Sequence, residues 1–146
     1  MGKNLKIGFA LHSIRTEQFA TIEDSFDREG EINLSTGLNF AFEKDLKMIA
    51  VFTKFEFESN AKPFLIVETS CHFNINPDAW QMFGNEDTGN VVIPKNFMQH
   101  LTMIAIGTAR GVLHAKTENT EFNSLILPTI NATELVQEDV EANLST

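Results

Sequence analysis

The chain has 146 residues, 20 acidic against 11 basic side chains, a net charge of -9 and one cysteine. That length suits a single domain, 1–146, long enough to bury roughly 70% of its unfolded surface without metals or disulfides. The charge repels nucleic-acid backbones and anionic membranes, Cys71 has no thiol partner, and no apolar run approaches the ~20 residues of a membrane span, so the expectation is a cytoplasmic protein with neither nucleic acid nor membrane as partner.

The N-terminal stretch MGKNLKIGFALHSIRTEQF has no uninterrupted apolar run of the signal-peptide kind. Within it Ile7, Phe9 and Leu11 alternate with Lys6, Gly8, Ala10 and His12, the period of two that predicts a half-buried strand between Leu5 and Phe19. The segment Thr21 to Ile32 is acidic, with Ser and Gly, yet Ile22, Phe26 and Ile32 interrupt it. It reads as a long loop with apolar anchor points. Its acids lack the alternating oxygen ligands and closing Glu of a calcium loop, and no metal is expected there.

Leu34, Thr36, Leu38, Phe40 and Phe42 then share one face of a second strand. A third run puts Ile49, Val51, Thr53, Phe55 and Phe57 opposite Phe52, Lys54, Glu56 and Glu58, and a fourth puts Leu65, Val67, Thr69, Cys71, Phe73 and Ile75 opposite Phe64, Ile66, Glu68, Ser70 and His72. Three adjacent strands with short connections predict an antiparallel meander with one wet face. Pro77 opens a short helix containing Trp80, Met82 and Phe83, and Gly84 to Asn90 is a polar break.

The longest helical pattern starts at Pro94. On a helical wheel Phe97, Met98, Leu101, Ile104, Ala105, Ile106, Ala109, Val112 and Leu113 cover about half the circumference, wider than the roughly 100° stripe of a surface helix. One sheet does not cover so wide a face, so the helix needs a second partner, either another layer or another copy of the chain. Gly107 and Gly111 either admit the close approach of another helix or mark weakening or the helix end. Beyond Asn131, Leu135, Val136 and Val140 form a short apolar edge among acids, read as a flexible acidic tail or short helix over about 132–146.

No phosphate loop, dinucleotide fingerprint, nucleophile elbow or metal-spaced histidine pair is present, so the expectation is a non-enzyme without cofactor, catalytic residue or metal site. His12 and His72 sit on predicted strand faces and read as surface or hydrogen-bonded histidines. Cys71 reads as a small buried hydrophobe.

The ordered words Ile93-Pro94, a long helix ending at Arg110-Gly111, and Leu125-Ile126-Leu127-Pro128-Thr129-Ile130-Asn131 resemble the SecB family of export chaperones, and the segment Phe9 to Ile14 and the meander fit as well. The resemblance implies an α+β fold: a SecB-like, four-stranded antiparallel sheet, a long loop crossing between its first two strands, a long helix packed on one face and a short C-terminal helix. It implies a homotetramer, a dimer of dimers, in which Phe97, Met98, Leu101, Ile104, Ala105, Gly107 and Ala109 lie at the oligomer interface. It further implies an ATP-independent holdase that binds unfolded preprotein clients in apolar grooves and hands them to the SecA translocase motor. The client-binding residues carried over are Ile22, Phe26, Ile32, Leu34, Leu125, Leu127, Ile130, Leu135 and Val136.

The chain departs from the family pattern in four places. Thr129 replaces a second proline, Ala132 stands where a Phe is usual, a polar insertion from Val112 to Ser124 replaces a short link, and the acid expected two residues after Leu65 is displaced to Glu68. The insertion predicts a helix that continues past Gly111, and the displaced acid turns to the other sheet face. A holdase for protein export and a dedicated partner-binding module, such as the chaperone of an antitoxin in a toxin–antitoxin system, both remain compatible with these residues.

Overall fold

A computed structural model describes residues 7–85 and 88–144. Strands β1 (Phe9–Thr21), β2 (Ile32–Glu43), β3 (Met48–Ser59) and β4 (Lys62–Ile75) form an antiparallel sheet in the order β1-β4-β3-β2. The first two strands therefore lie at opposite edges, and residues 22–31 carry the chain across from one to the other. The alternation read from sequence becomes five rows across the meander: Leu34-Phe57-Leu65, Thr36-Phe55-Val67, Leu38-Thr53-Thr69, Phe40-Val51-Cys71 and Phe42-Ile49-Phe73. In the middle row the buried hydroxyls of Thr53 and Thr69 satisfy each other at 3.2 Å.

Two irregularities explain where simple alternation stops. In β1 the register shifts between Leu11 and Ser13 and again between Thr16 and Gln18. Phe9, Leu11, Ile14, Thr16 and Phe19 consequently share one face although their spacing breaks the period of two. In β4, Phe57 pairs with Leu65 but Glu58 pairs with Pro63, which leaves Phe64 unpaired at the shift. Its ring is fully buried instead of lying outward with Ile66, because an extra residue in one strand re-aims its side chain.

Helix α1 (Pro77–Phe83) begins where the Asn76 side chain accepts the Asp78 amide at 2.9 Å, and it buries Trp80 and Phe83. Helix α2 (Lys95–Thr117) packs on the inner face over β3 and β4. Its first amide, on Lys95, donates to Asp139 Oδ1 at 2.9 Å, a carboxylate placed where the helix dipole favours negative charge. The helix passes Gly111 and stops at Thr117. Val112 and Leu113 continue its packing, a helical glycine costs only about 1 kcal/mol against alanine, and the left-handed residue beyond the end is Asn119, φ 66°.

The C-terminal segment contains the expected short helix and adds a strand to it. After a single helical turn, α3 (Ala132–Leu135), it becomes strand β7 (Val140–Asn143). With β5 (Gly84–Asn85) and β6 (Asn90–Ile93), β7 forms a second sheet in the order β5-β6-β7. Val140 and Ala142 alternate with Glu141 and Asn143, so once a partner strand is present they pair with Ile93 and Val91 across an apolar face. The core falls into two clusters along α2. The first joins Ile49, Val51, Phe73, Trp80, Phe83, Ile93, Phe97, Met98 and Leu101, and the second joins Phe55, Phe57, Phe64, Leu65, Val67, Ala109, Leu113, Phe122 and Leu127.

Candidate functional site

The second cluster is covered by three irregular segments: the crossing 22–31, the turn at Glu121–Ser124 and the extended strip 125–131, which is neither helix nor strand. The crossing is pinned from two sides. Phe26 packs on Phe64 (ring centroids 4.7 Å) and edge-on to Phe122 (5.2 Å). On its polar side Asp27 N–H donates to Ser59 Oγ (3.1 Å), Ser59 Oγ donates to the Asp27 carbonyl (2.9 Å), and Asn60 Nδ2 donates to Asp27 Oδ2 (2.9 Å). Gly30 leaves room for this clamp, since a Cβ there would stand 2.8–2.9 Å from the Asn60 and Ser59 side chains and displace them.

The strip is held by a cation. Arg110, one turn from the end of the second cluster's helix face, donates from Nε to the Leu127 carbonyl (3.2 Å) and from Nη2 to the Pro128 carbonyl (3.1 Å). Charge-assisted bonds of this kind hold an extended segment that proline prevents from entering a ladder. Beyond it, Gln99 Nε2 donates to the Val136 carbonyl at 2.7 Å, so polar side chains of α2 hold the segment at successive points.

Around this cover the predicted client-binding residues divide into three groups. Ile22 and Ile32 are each 42% exposed at the two ends of the crossing, and Leu135 is 36% exposed. Phe26, Leu34, Leu125 and Ile130 are half-buried on the rim of the second cluster. Leu127 and Val136 are buried in the chain's own core and present no free side chain. A shallow open cleft of ≈ 380 Å³ lies beside Phe40, Leu135, Val136 and Val140, flanked by Glu134 and Glu138. The residues missed from sequence are Arg110 as the clasp, Phe64 and Phe122 as the aromatic floor, and Ile126, 69% exposed on the strip. Ile126 alternates with Leu125 and Leu127, so its outward position was open to inference from the strip's extended character.

Of the residues expected between copies of the chain, Phe97, Met98, Leu101, Ala105 and Ala109 are buried within one chain, against its own sheet and the elements beside it. Ile104 is half-buried and Gly107 is open, with no atom within 4 Å of where its Cβ would stand. Gly111 is equally open, Met103 is 60% exposed, and Leu11 and Ile14 on the edge strand β1 are exposed although they point to the helix side. The wide apolar wheel is thus covered by the chain itself: Phe97, Met98, Leu101, Ala105, Ile106, Ala109 and Leu113 are buried, Ile104 and Val112 are half-buried against the same clusters, and the open face of α2 carries Met103, Gly107 and Gly111.

On the outer sheet face Ser70 donates to Glu17 Oε1 at 2.8 Å, which leaves its oxygen to accept from His72 Nε2–H at 2.9 Å. Burial pushes the His72 pKa down, Arg15 and His12 reinforce that, and Glu17 opposes it. His12 reaches Asn74 at 3.3 Å. Because Ser70 donates to the carboxylate and not to the imidazole, this chain of bonds does not prepare a nucleophile. Cys71 is buried, and burial raises its thiol pKa, partly offset by a hydrogen bond to Thr108. Among the described residues no cluster of His, Cys, Asp or Glu is arranged to hold a metal ion, and no helix is long and apolar enough to cross a membrane.

The fold and this cover define an α+β protein with a two-part core and an apolar, partly open edge. No family model matches the sequence, and no curated protein does. Among solved structures the chain is similar to the SecB-like chaperone Rv1957 of Mycobacterium tuberculosis, determined in complex with a ChAD peptide from the Rv1956 HigA1 antitoxin. The likeness has 9% identity and a TM-score of 0.48, over 84% of this chain and 90% of that one.

Proposed function

We propose that the chain is a non-enzymatic chaperone that binds extended, non-native polypeptide without nucleotide along the crossing, the start of β2 and the strip. The observation that carries this reading is the strip itself: an extended segment with exposed Ile126, half-buried Leu125 and Ile130, and two carbonyls held by a side chain instead of a ladder. Ile22 and Ile32 add exposed apolar side chains at the two ends of the crossing, and Leu135 adds one at the cleft beside Phe40 and Val140. An extended client gains from such a surface through apolar side-chain contact and backbone hydrogen bonds. The net charge of -9 keeps a protein with this much accessible apolar surface soluble.

The open face of α2, with Met103, Gly107 and Gly111 beside half-buried Ile104, supports self-association through that face, and a dimer of dimers in the cytoplasm is the assembly we assign to it. Among clients, an exported preprotein and a single dedicated partner such as an antitoxin are distinguished by breadth of binding. Glu68, on the outer face opposite Lys54, leaves SecA docking the less supported part of the export reading.

Light scattering of an aggregating, chemically unfolded client tests the chaperone role. Suppression at a one-to-one ratio of assembly to client is expected, and aggregation that proceeds unchanged would overturn it. Crosslinking in cells followed by mass spectrometry then separates a broad set of exported precursors from one dominant partner.

A further inference from the structure

Strand β2 closes one edge of the main sheet, and the phase of its ladder decides which backbone groups it leaves open. Asn60 N–H donates to the Glu31 carbonyl at 3.2 Å, beside the pair of Ile32 with Ser59, so the odd-numbered residues of β2 bond to β3. The N–H and C=O groups of Leu38, Phe40 and Phe42 point the other way, off the sheet. Phe40 N–H accordingly donates to Asn39 Oδ1 at 2.9 Å instead of to a strand. The open cleft of ≈ 380 Å³ lies at this place, between Phe40 and Val140, the first residue of β7. We propose that β2 from Leu38 to Phe42 is a docking edge: one extended segment of a partner polypeptide, with alternating apolar residues flanked by Lys or Arg, lies in the cleft as an added strand and displaces the Asn39 side chain. This rests on the polypeptide-binding reading above and adds a site on β2 away from Leu34.

Three observations carry it. Among the described residues no backbone hydrogen bond joins β2 to β7, which belong to separate sheets, and none reaches residues 38–42 from outside their own sheet. An unpaired edge of this kind is a template for another strand. The cleft also has an apolar wall at the right level: Phe40 and Val140 are half-buried on the first cluster, Val136 is buried and Leu135 is exposed, so alternate side chains of an added strand meet apolar surface. Its charge is one-sided. The lining includes Glu134 and Glu138 and no cation, and the ion pairs of the described residues, Arg28 with Glu121, Lys54 with Glu56 and His114 with Glu118, involve neither.

Asn39 guards this edge. Its side-chain carbonyl takes the position that a partner's backbone carbonyl would hold, and so blunts an edge that would otherwise be free to pair with any strand. Docking exchanges one acceptor for another at Phe40, which conserves that bond, while Leu38 and Phe42 gain theirs. Each gained bond is worth about two- to tenfold in affinity. The backbone of β7 stays paired with β6 and contributes the Val140 side chain.

Residue-resolved amide exchange by NMR on the full chain tests the proposal, with a short peptide of alternating Val and Ser and a Lys at each end. Binding should protect the amides of Leu38, Phe40 and Phe42 and leave those of Asn39 and Ala41, already paired with β3, unchanged. Fluorescence anisotropy with the fluorescein-labelled peptide should show affinity raised about two- to fivefold by Asn39→Ala, which frees the Phe40 amide. The double variant Glu134→Gln with Glu138→Gln should lower it by about two- to fivefold, the range of exposed charge pairs. Peptide that binds and protects 125–131 but not Leu38, Phe40 and Phe42 would overturn the docking edge and leave the chaperone reading standing. Protection of these three amides by raised chain concentration without peptide, with a doubled mass in light scattering, would assign the edge to a second copy and overturn it too. Absence of binding to the wild type and both variants, for this peptide and for an unfolded client alike, would overturn both.

Discussion

The two ends of α2 rest on equally apolar clusters that are covered in opposite ways. Near its start, Trp80 and Phe83 of α1 and Val91 and Ile93 of β6 close the first cluster, and the small sheet ties them to β7 through paired backbones. Near its end, the second cluster is closed by the crossing, the turn at Glu121–Ser124 and the strip, held by Phe26, by the Asp27 clamp and by Arg110. Backbone ladders make the first cover a cooperative part of the fold. Side-chain ties to single carbonyls and hydroxyls allow the second to open locally, and the low-stability end of a structure is where binding segments are found.

That contrast is sharpened first by truncation within the core. Leu101→Ala, in the first cluster, should lower global stability by about 2–5 kcal/mol in urea unfolding, while the molecules that stay folded bind client normally. Arg110→Ala removes two charge-assisted bonds and should cost up to about 3 kcal/mol. The loss should be largely local, read as faster amide exchange in 125–131 and a changed client affinity, with α1 and β6 unaffected.

On the uncovered side of α2, Gly107→Ala separates packing from propensity. A free chain should gain about 1 kcal/mol, because the added methyl meets nothing within 4 Å. An assembly built on that face should weaken, visible as lower mass in sizing with light scattering. Ile126→Ser should leave stability within about 0.5 kcal/mol, as expected for an exposed position, yet weaken client binding.

The smallest effect is pH dependence from His72. Its folded pKa lies below that of an ordinary histidine, so as pH falls the unfolded chain takes up this proton first. Its effect on stability is absent above that value, becomes destabilising as pH falls through it, and levels off below the folded pKa. His72→Gln should flatten this part of the stability curve.

The sheet and α2 were legible because long runs of alternating residues and a wide helical stripe leave few arrangements. The five rows from Leu34-Phe57-Leu65 to Phe42-Ile49-Phe73 follow directly from the period of two. Phe64 was illegible because one inserted residue reverses a side chain, and sequence alternation carries no mark of the shift. The strand β7 was hidden because a four-residue edge such as Val140–Asn143 is defined by its partner β6, not by its own pattern. At the candidate site the anchors Ile22, Phe26 and Leu125 stood out as apolar residues among polar ones, whereas Phe122 lay in a polar insertion and Arg110 resembled the end of a helix that in fact continues.

Hydrogen exchange on the full chain, with and without a saturating unfolded client, tests the division of the core most directly. The account predicts that the free chain exchanges faster in 22–31 and 118–131 than in β6 and β7, and that client slows exchange in 125–131 while 90–93 and 140–143 do not change. Equal protection of both covers in the free chain, together with no change in 125–131 when client is bound, would contradict it.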